Sequence, residues 1–416
     1  MRVICTPNAQ HATEATQPQT SIGVVLYGLP VNGAGGIGNR LIRRIRRWEN
    51  QPSQLAWDFL SIALAVTAAD TFVRRDLSPD RWTREINLEV ALYDPQPWVD
   101  IADRISVALR FLSGDYWTLT LVRGGMAVPR ARRRITREDC VCLFSGGMDS
   151  LIGAIDILSQ GRLPVLVSHA SRGEKATQEY LVHQIGTSPL RHFSENTYPQ
   201  WQRLNDVSKR TRSLIFISYG VLVASGLLPL VRSNEITLFI PENGLISLNP
   251  PLTPRRIGSL STRTTHPHFI SSVQNILDQV GLAVKIENPY GFRTKGEMLG
   301  KCQNPELLRS VIDRTISCGK SGRINQQCGR CVPCIIRRAA YHSAGIPDRT
   351  RYKYSDLAHV RDDDILSFQA ALVRRHYEDL KRWLLRSGPL PSDPALRAAY
   401  VDVFRRGLDE VDAFLP

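Results

Sequence analysis

Cys142-Leu-Phe-Ser145-Gly146-Gly147-Met-Asp149-Ser150 is an apolar strand that runs straight into two adjacent glycines and then into a helix. The glycines let the backbone bend tightly and bring its N–H groups against an anion with no Cβ in the way. The following segment has Leu151, Ile152, Ile155 and Leu158 at helical spacing, so the positive end of a helix points at the same place. The stretch therefore predicts a phosphate cradle formed by Phe144, Ser145, Gly146, Gly147, Asp149 and Ser150. It lacks the lysine of a Walker A loop. Asp149 stands where such a loop carries no acid, which predicts a site for Mg²⁺ and a departing pyrophosphate.

Strand candidates at 141–144, 163–167, 235–240 and 283–287 alternate with helical segments from residue 140 onward. That alternation predicts an α/β fold with a parallel sheet covered by helices on both faces, its ligands beyond the carboxyl ends of the strands. Residues 1–20 are polar and read as loosely ordered. Between 21 and 134, strands at 22–27, 86–92 and 116–122 and helices at 56–74 and 98–112 predict a small α+β domain. The run Pro129 to Arg134 reads as a linker. Beyond 347 the chain is helical, with Phe368, Leu372, Leu380 and Leu384 on one stripe and Asp393-Pro394 opening a last helix. The expected division is 1–134, 135–346 and 347–416.

The chain has 416 residues, 43% hydrophobic and 22% charged, as in an ordinary globular protein large enough for two or three domains. Its net charge of +14 favours an anionic partner. The basic clusters at Arg40, Arg43, Arg44, Arg46 and Arg47 and at Arg130, Arg132, Arg133 and Arg134 read as solvated faces and linkers, so nucleic acid is not the favoured partner. Residues 213–231 carry no charge, but Ser218, Gly220, Ser225, Gly226 and Pro229 dilute the run, which reads as a buried helix rather than a membrane span. The start MRVICTPNAQ lacks a secretory pattern. Four of the eight cysteines fall at Cys318, Cys328, Cys331 and Cys334. This C-x9-C-x2-C-x2-C spacing can close a tetrahedral Zn²⁺ site in a reducing compartment, and the expected location is cytoplasmic. An iron–sulfur cluster is the rival, although Arg338 and Ala339 stand where a ferredoxin run continues with cysteine and proline. Gly33-Ala-Gly35-Gly-Ile-Gly38 matches a dinucleotide fingerprint, yet no clean βαβ unit follows and it reads as a flexible loop.

SGGMDS resembles the PP-loop of ATP pyrophosphatases, a HUP-like α/β fold. Together with the cysteine cluster it resembles the QueC family of 7-cyano-7-deazaguanine synthases over residues from about 138 to about 345. Arg212 opening the apolar helix, Glu242-Asn243-Gly244 after a strand, and Lys295-Gly-Glu297 after Asn288-Pro289 agree with that family. Val167-Ser168-His169-Ala170 and Ser213 depart from it. The added N-terminal domain and helical tail look like the extended QueC-like proteins of anti-phage systems, QatC or the QueC-like member of type IV CBASS.

The resemblance implies an ATP-dependent C–N ligase, AMP- and PPi-forming. It would adenylate 7-carboxy-7-deazaguanine and pass the acyl group to ammonia or a protein amine, in antiviral defence. It implies ATP, Mg²⁺ and Zn²⁺ as cofactors, and Asp149, Ser150, Lys295, Glu297 and Arg212 as catalytic candidates. Glu242, Asn243 and Gly244 would bind substrate, with Lys295 neutralising charge and Glu297 as its partner or a proton acceptor. The expected partners are the 7-deazaguanine, a protein acceptor encoded in the same operon and docked by residues 1–134, and a second copy in a homodimer; no membrane is expected. Two other readings stand beside this one: a PP-loop tRNA-modifying enzyme, and a non-catalytic nucleotide-sensing subunit of a defence complex.

Overall fold

The computed structural model describes residues 1–17, 19–132, 137–170, 173–186, 190–201, 205–206, 208, 210–228, 234–253, 263–320, 326–357 and 362–415. Arg133 and Arg134 of the expected linker, and Pro229 and the rest of 229–231 in the uncharged run, lie outside the described residues. Compactness divides the chain into two units. One comprises Met1–Val141, Glu195–Leu238 and Phe269–Ile286; the other comprises Cys142–Ser194, Phe239–His268 and Glu287–Pro416. These limits follow packing rather than the sequence signals that mark 1–134, 135–346 and 347–416.

The first sheet is built from β1 (Arg2–Thr6), β2 (Ser21–Gly28), β3 (Gly35–Gly38), β4 (Glu85–Leu92) and β5 (Tyr116–Arg123) in the order β3-β2-β1-β4-β5. Every pairing in it is parallel. The grouping expected as α+β is thus a parallel α/β layer, because each strand returns through a crossover rather than a hairpin. Residues 1–20 correct the sequence reading most. Far from being loosely ordered, Arg2–Thr6 is the central strand, with Val3, Ile4 and Cys5 buried, and Ala9–Glu14 is a helix. A central strand buried on both faces shows no alternation, and a run of five residues gives little periodicity to read. Gly35–Gly38, expected as a flexible loop, is the edge strand β3; glycine's low strand propensity hid it.

Gln54–Phe72 is, among the described residues, the one helix long and apolar enough to cross a membrane, and 89% of its apolar window is buried. Ser53 caps its start by accepting a hydrogen bond from the Ala56 amide at 3.2 Å. It packs beside Arg212–Leu227, the helix expected from the uncharged run, within the same unit. Buried helices of this kind are apolar all round, which is why both resemble membrane spans in sequence.

The second sheet is parallel, with strands β6 (Cys140–Leu143), β7 (Pro164–His169), β8 (His192–Glu195), β9 (Ile236–Phe239) and β10 (Val284–Glu287) in the order β10-β9-β6-β7-β8. Four of these strands match the sequence expectation; β8 is additional. From β6 the chain moves outward through β7 to β8, then β9 is laid on the opposite side of β6. The order therefore reverses between β6 and β9, and ligands of open α/β sheets bind beyond the strand ends at such a switch point. The loop after β6 is 144–147, and the loop after β9 is 240–243. The tail supplies the helices Asp363–Arg374, Leu380–Leu385 and Pro394–Phe414, whose Phe368, Leu384, Phe404 and Leu408 share one core cluster with Leu245 and Ile335.

Candidate active site and cysteine centre

The loop after β6 is shaped by its own hydroxyls. Gly146 has φ +81°, a left-handed conformation in which a side chain is strained. Ser145 Oγ accepts from the Gly147 amide at 3.2 Å and lies 3.1 Å from Ser150 Oγ, which in turn donates to the Gly147 carbonyl at 3.1 Å. Gln178, fully buried and unmarked in the sequence reading, donates from Nε2 to the Ser145 carbonyl at 3.0 Å. Phe144 is buried, and its amide donates to the Val167 carbonyl at 2.6 Å. Gly147 is the N-cap of Met148–Ser159 and brings no side chain to satisfy the first-turn amides. Those amides are a ready site for an anion.

Asp149, in the first turn of that helix, is where three distant segments meet. Its Oδ1 accepts from the ammonium of Lys295, 146 residues away in sequence. Its Oδ2 accepts from Asn243 twice, from Nδ2 at 2.7 Å and from the backbone amide at 3.1 Å. Burial alone would raise the Asp149 carboxyl. The charge of Lys295 and the hydrogen bonds from Glu242, Lys295 and Asn243 overcome that and hold it at about 2. Glu242 is driven the other way, well above the ordinary carboxyl range, first by burial and then by the negative charge of Asp149. Their proximity thus drives the two carboxyls apart, Asp149 toward the ionised form and Glu242 toward the protonated one. Asn288, just past β10, fixes Glu242 by accepting from its amide at 3.2 Å and donating to its carbonyl at 2.8 Å. The loops after β6, β9 and β10 are tied together in the order their strands lie in the sheet.

The structure brings Asp149, Glu242, Asn243 and Lys295 together. It gives Glu297 a different place. Glu297 Oε2 accepts from the Thr294 amide at 3.0 Å while Thr294 Oγ1 accepts from the Glu297 amide at 3.1 Å, a reciprocal cap on Lys295–Gly300. Its other oxygen is paired with Arg406. The partner of Lys295 is therefore Asp149, not Glu297. Arg212 belongs to the other compact unit. Arg406 and Glu410, both at this cap, escaped the sequence reading because they lie more than a hundred residues downstream with no motif around them.

The Sγ atoms of Cys318, Cys328, Cys331 and Cys334 all lie within 4.8 Å of one another. Cys318–Cys331 and Cys328–Cys334 are separated by 3.8 and 3.9 Å. A tetrahedron with Zn–S bonds of about 2.3 Å has edges of about 3.8 Å, so the four sulfurs fit zinc closely. The amides of Lys320 and Cys328 donate to Cys318 Sγ, and that of Cys331 to Cys328 Sγ, each at 3.3 Å. Such N–H···S bonds suit thiolates rather than thiols. A metal held by all four sulfurs would have no open position, as in structural zinc sites.

Residues 264–345 match the model of the family described as queuosine biosynthesis protein QueC, about a fifth of the chain. That stretch holds Lys295, Glu297 and all four cysteines; it does not include the loop 145–150. The chain is also 27% identical over 168 residues to the 7-cyano-7-deazaguanine synthases of Brucella canis, Brucella suis and Brucella ovis. Those alignments cover 40% of this chain and 61% of each relative's length. No solved structure matches.

Two outcomes follow from this geometry. Lys295→Met leaves the Asp149 carboxylate buried without its counter-charge, and urea unfolding is expected to show a loss of about 3–5 kcal/mol at neutral pH. Asp149 is held below its unfolded value of about 3.9, so the loss is full above that pH and shrinks as pH falls toward about 2. A loss below about 1 kcal/mol at neutral pH would mean the pair contributes as little as a surface one. For the cysteines, metal analysis of purified protein is expected to return about one zinc per chain, lost in Cys334→Ser; iron with acid-labile sulfide would overturn the zinc assignment.

Proposed function

We propose that the chain is an ATP-dependent ligase that activates the carboxylate of a 7-deazaguanine acid. The observation that carries this reading is the convergence on Asp149 of the loop after β6, the Glu242–Asn243 loop after β9 and Lys295, all at the switch point of a parallel sheet. The partial likeness to 7-cyano-7-deazaguanine synthases supports the substrate class.

A carboxylate is a poor acyl donor because oxide is a poor leaving group. In the proposed first step a carboxylate oxygen attacks the α-phosphorus of ATP, the bond to the bridging oxygen breaks, and PPi leaves with the acyl adenylate remaining. An amine then attacks the acyl carbon, AMP departs with the carboxylate oxygen, and the amine loses a proton. The 145–150 loop and the uncapped first-turn amides of Met148–Ser159 hold the phosphates. Lys295 supplies positive charge where the leaving PPi gains negative charge. Asp149 and Asn243 aim Lys295 and hold the loop after β9 beside it, with Glu242 as a neutral hydrogen-bond donor. Glu297 acts through the helix cap it forms rather than on the substrate.

Both oxygens of Asp149 already accept hydrogen bonds from Lys295 and Asn243. Oδ2 accepts twice from Asn243 and Oδ1 once from Lys295, which leaves one acceptor position on the carboxylate where Mg²⁺ would sit to neutralise phosphate charge. The four cysteines would hold zinc as a structural centre. Ammonia as the amine gives a primary amide, which a second ATP can dehydrate to a nitrile; a protein amine gives a secondary amide, where the reaction stops. The extended architecture favours a protein amine, with residues 1–134 docking it, in antiviral defence.

Purified protein with Mg²⁺, ATP and labelled PPi is expected to exchange label only when 7-carboxy-7-deazaguanine is present. Asp149→Ala should lower that rate by at least about a hundredfold. ATP binding without exchange in the wild type would favour the nucleotide-sensing reading instead.

A further inference from the structure

The helix Pro394–Phe414 turns one edge toward both walls of the site. Glu410 accepts from the hydroxyl of Thr294 and, through Oε2 at 3.2 Å, from the amide of Gly296. One turn earlier, Arg406 pairs with Glu297 and donates from Nη2 to the Phe292 carbonyl at 3.0 Å. Lys295 therefore sits in a first turn whose amides and cap are tied to this helix on either side. A side chain at Gly296 would run into the Glu410 carboxylate, so the glycine leaves room for that contact. A turn earlier again, Val403 abuts the second wall: a Cβ on Gly244 would stand 2.7 Å from Val403 Cγ2. Gly407 in turn lies against Leu245, where an added Cβ would come within 3.1 Å.

We propose that Pro394–Phe414 is part of the active-site framework and that Glu410 and Arg406 are positioning residues that set the turn carrying Lys295. The physical logic is one of tolerance. Lys295 reaches Asp149 from a helix of six residues, too short to hold its own first turn in register. A carboxylate accepting from Gly296 and Thr294 fixes that turn at its positive end. The Arg406–Glu297 pair then resists rotation of the turn about its axis. A small displacement of a group that meets developing charge costs much of its effect. Glu410 and Arg406 are only half-buried, whereas Val403, Phe404, Leu408 and Val411 on the same helix are buried and hold it in the core. Substituting the former pair thus loosens the turn without removing the core.

The inference rests on the ligase reading for its kinetic consequence but not for its structural one, and the full-length chain tests the two separately. Amide hydrogen exchange of Glu410→Ala is expected to rise about tenfold across 294–300 while amides of Met148–Ser159 stay within about twofold of wild type. In PPi exchange, kcat is expected to fall about tenfold with KM for ATP within about threefold, and Glu410→Gln, which keeps an acceptor for Thr294, recovers part of kcat. Arg406→Ala should act in the same direction and Arg406→Lys more mildly. Unchanged protection across 294–300 overturns the proposal, as does protection lost equally throughout the chain or a kcat within twofold of wild type. If the wild type shows no exchange, the ligase reading fails while the hydrogen-exchange result still decides whether the helix braces this turn.

Discussion

A buried carboxylate that stays ionised imposes conditions on everything around it, and in this chain that carboxylate is Asp149. Removing an ion from water costs several kcal/mol unless a counter-charge and hydrogen bonds replace its hydration. Lys295 and Asn243 are that replacement, and each must be delivered from a separate loop. The loop after β9, the turn at Thr294–Glu297 and the helix beginning at Met148 are thereby held in one arrangement. Beside the Asp149–Lys295 pair, burial and the charge of Asp149 push the Glu242 carboxyl well above its ordinary range, which favours its neutral form.

The rest of the second unit serves that convergence. The cysteine cluster closes the end of a segment in which Ile316 donates its amide to the Gly146 carbonyl at 3.0 Å, so that segment and the loop after β6 share a backbone contact. The helix Val332–Ser343, which begins beside Cys331, packs on the tail helix that grips the Lys295 turn. The cysteine cluster, the tail helix and the loop after β6 are thus joined by direct contacts within this unit.

What could be read from the sequence was local. Cys142–Ser150 declares a strand end, a turn and a helix start within nine residues, and the C-x9-C-x2-C-x2-C spacing marks the four sulfurs that the fold gathers within 4.8 Å. The buried nature of 213–227 follows from composition. Glu242, Asn243 and Lys295 were found through likeness to a family rather than by any local signal, and their pairing was not found: Lys295 and Glu297 are two apart, a spacing that sets side chains on different sides of a helix. Arg406 and Glu410 have no motif, and only tertiary folding brings them to Thr294–Glu297. The central strand Arg2–Thr6 and the glycine strand Gly35–Gly38 were missed because burial on both faces and a lack of side chains each erase the alternation on which strand reading depends.

The reaction proposed for this site joins a carboxylate oxygen to the α-phosphorus of ATP. Its most direct test is the fate of that oxygen. The protein is incubated with ATP, an amine and 7-carboxy-7-deazaguanine labelled with ¹⁸O in its carboxylate, and the products are read by mass spectrometry. AMP carrying one labelled oxygen is expected for every amide formed. Unlabelled AMP, or label found in inorganic phosphate beside ADP, would contradict it.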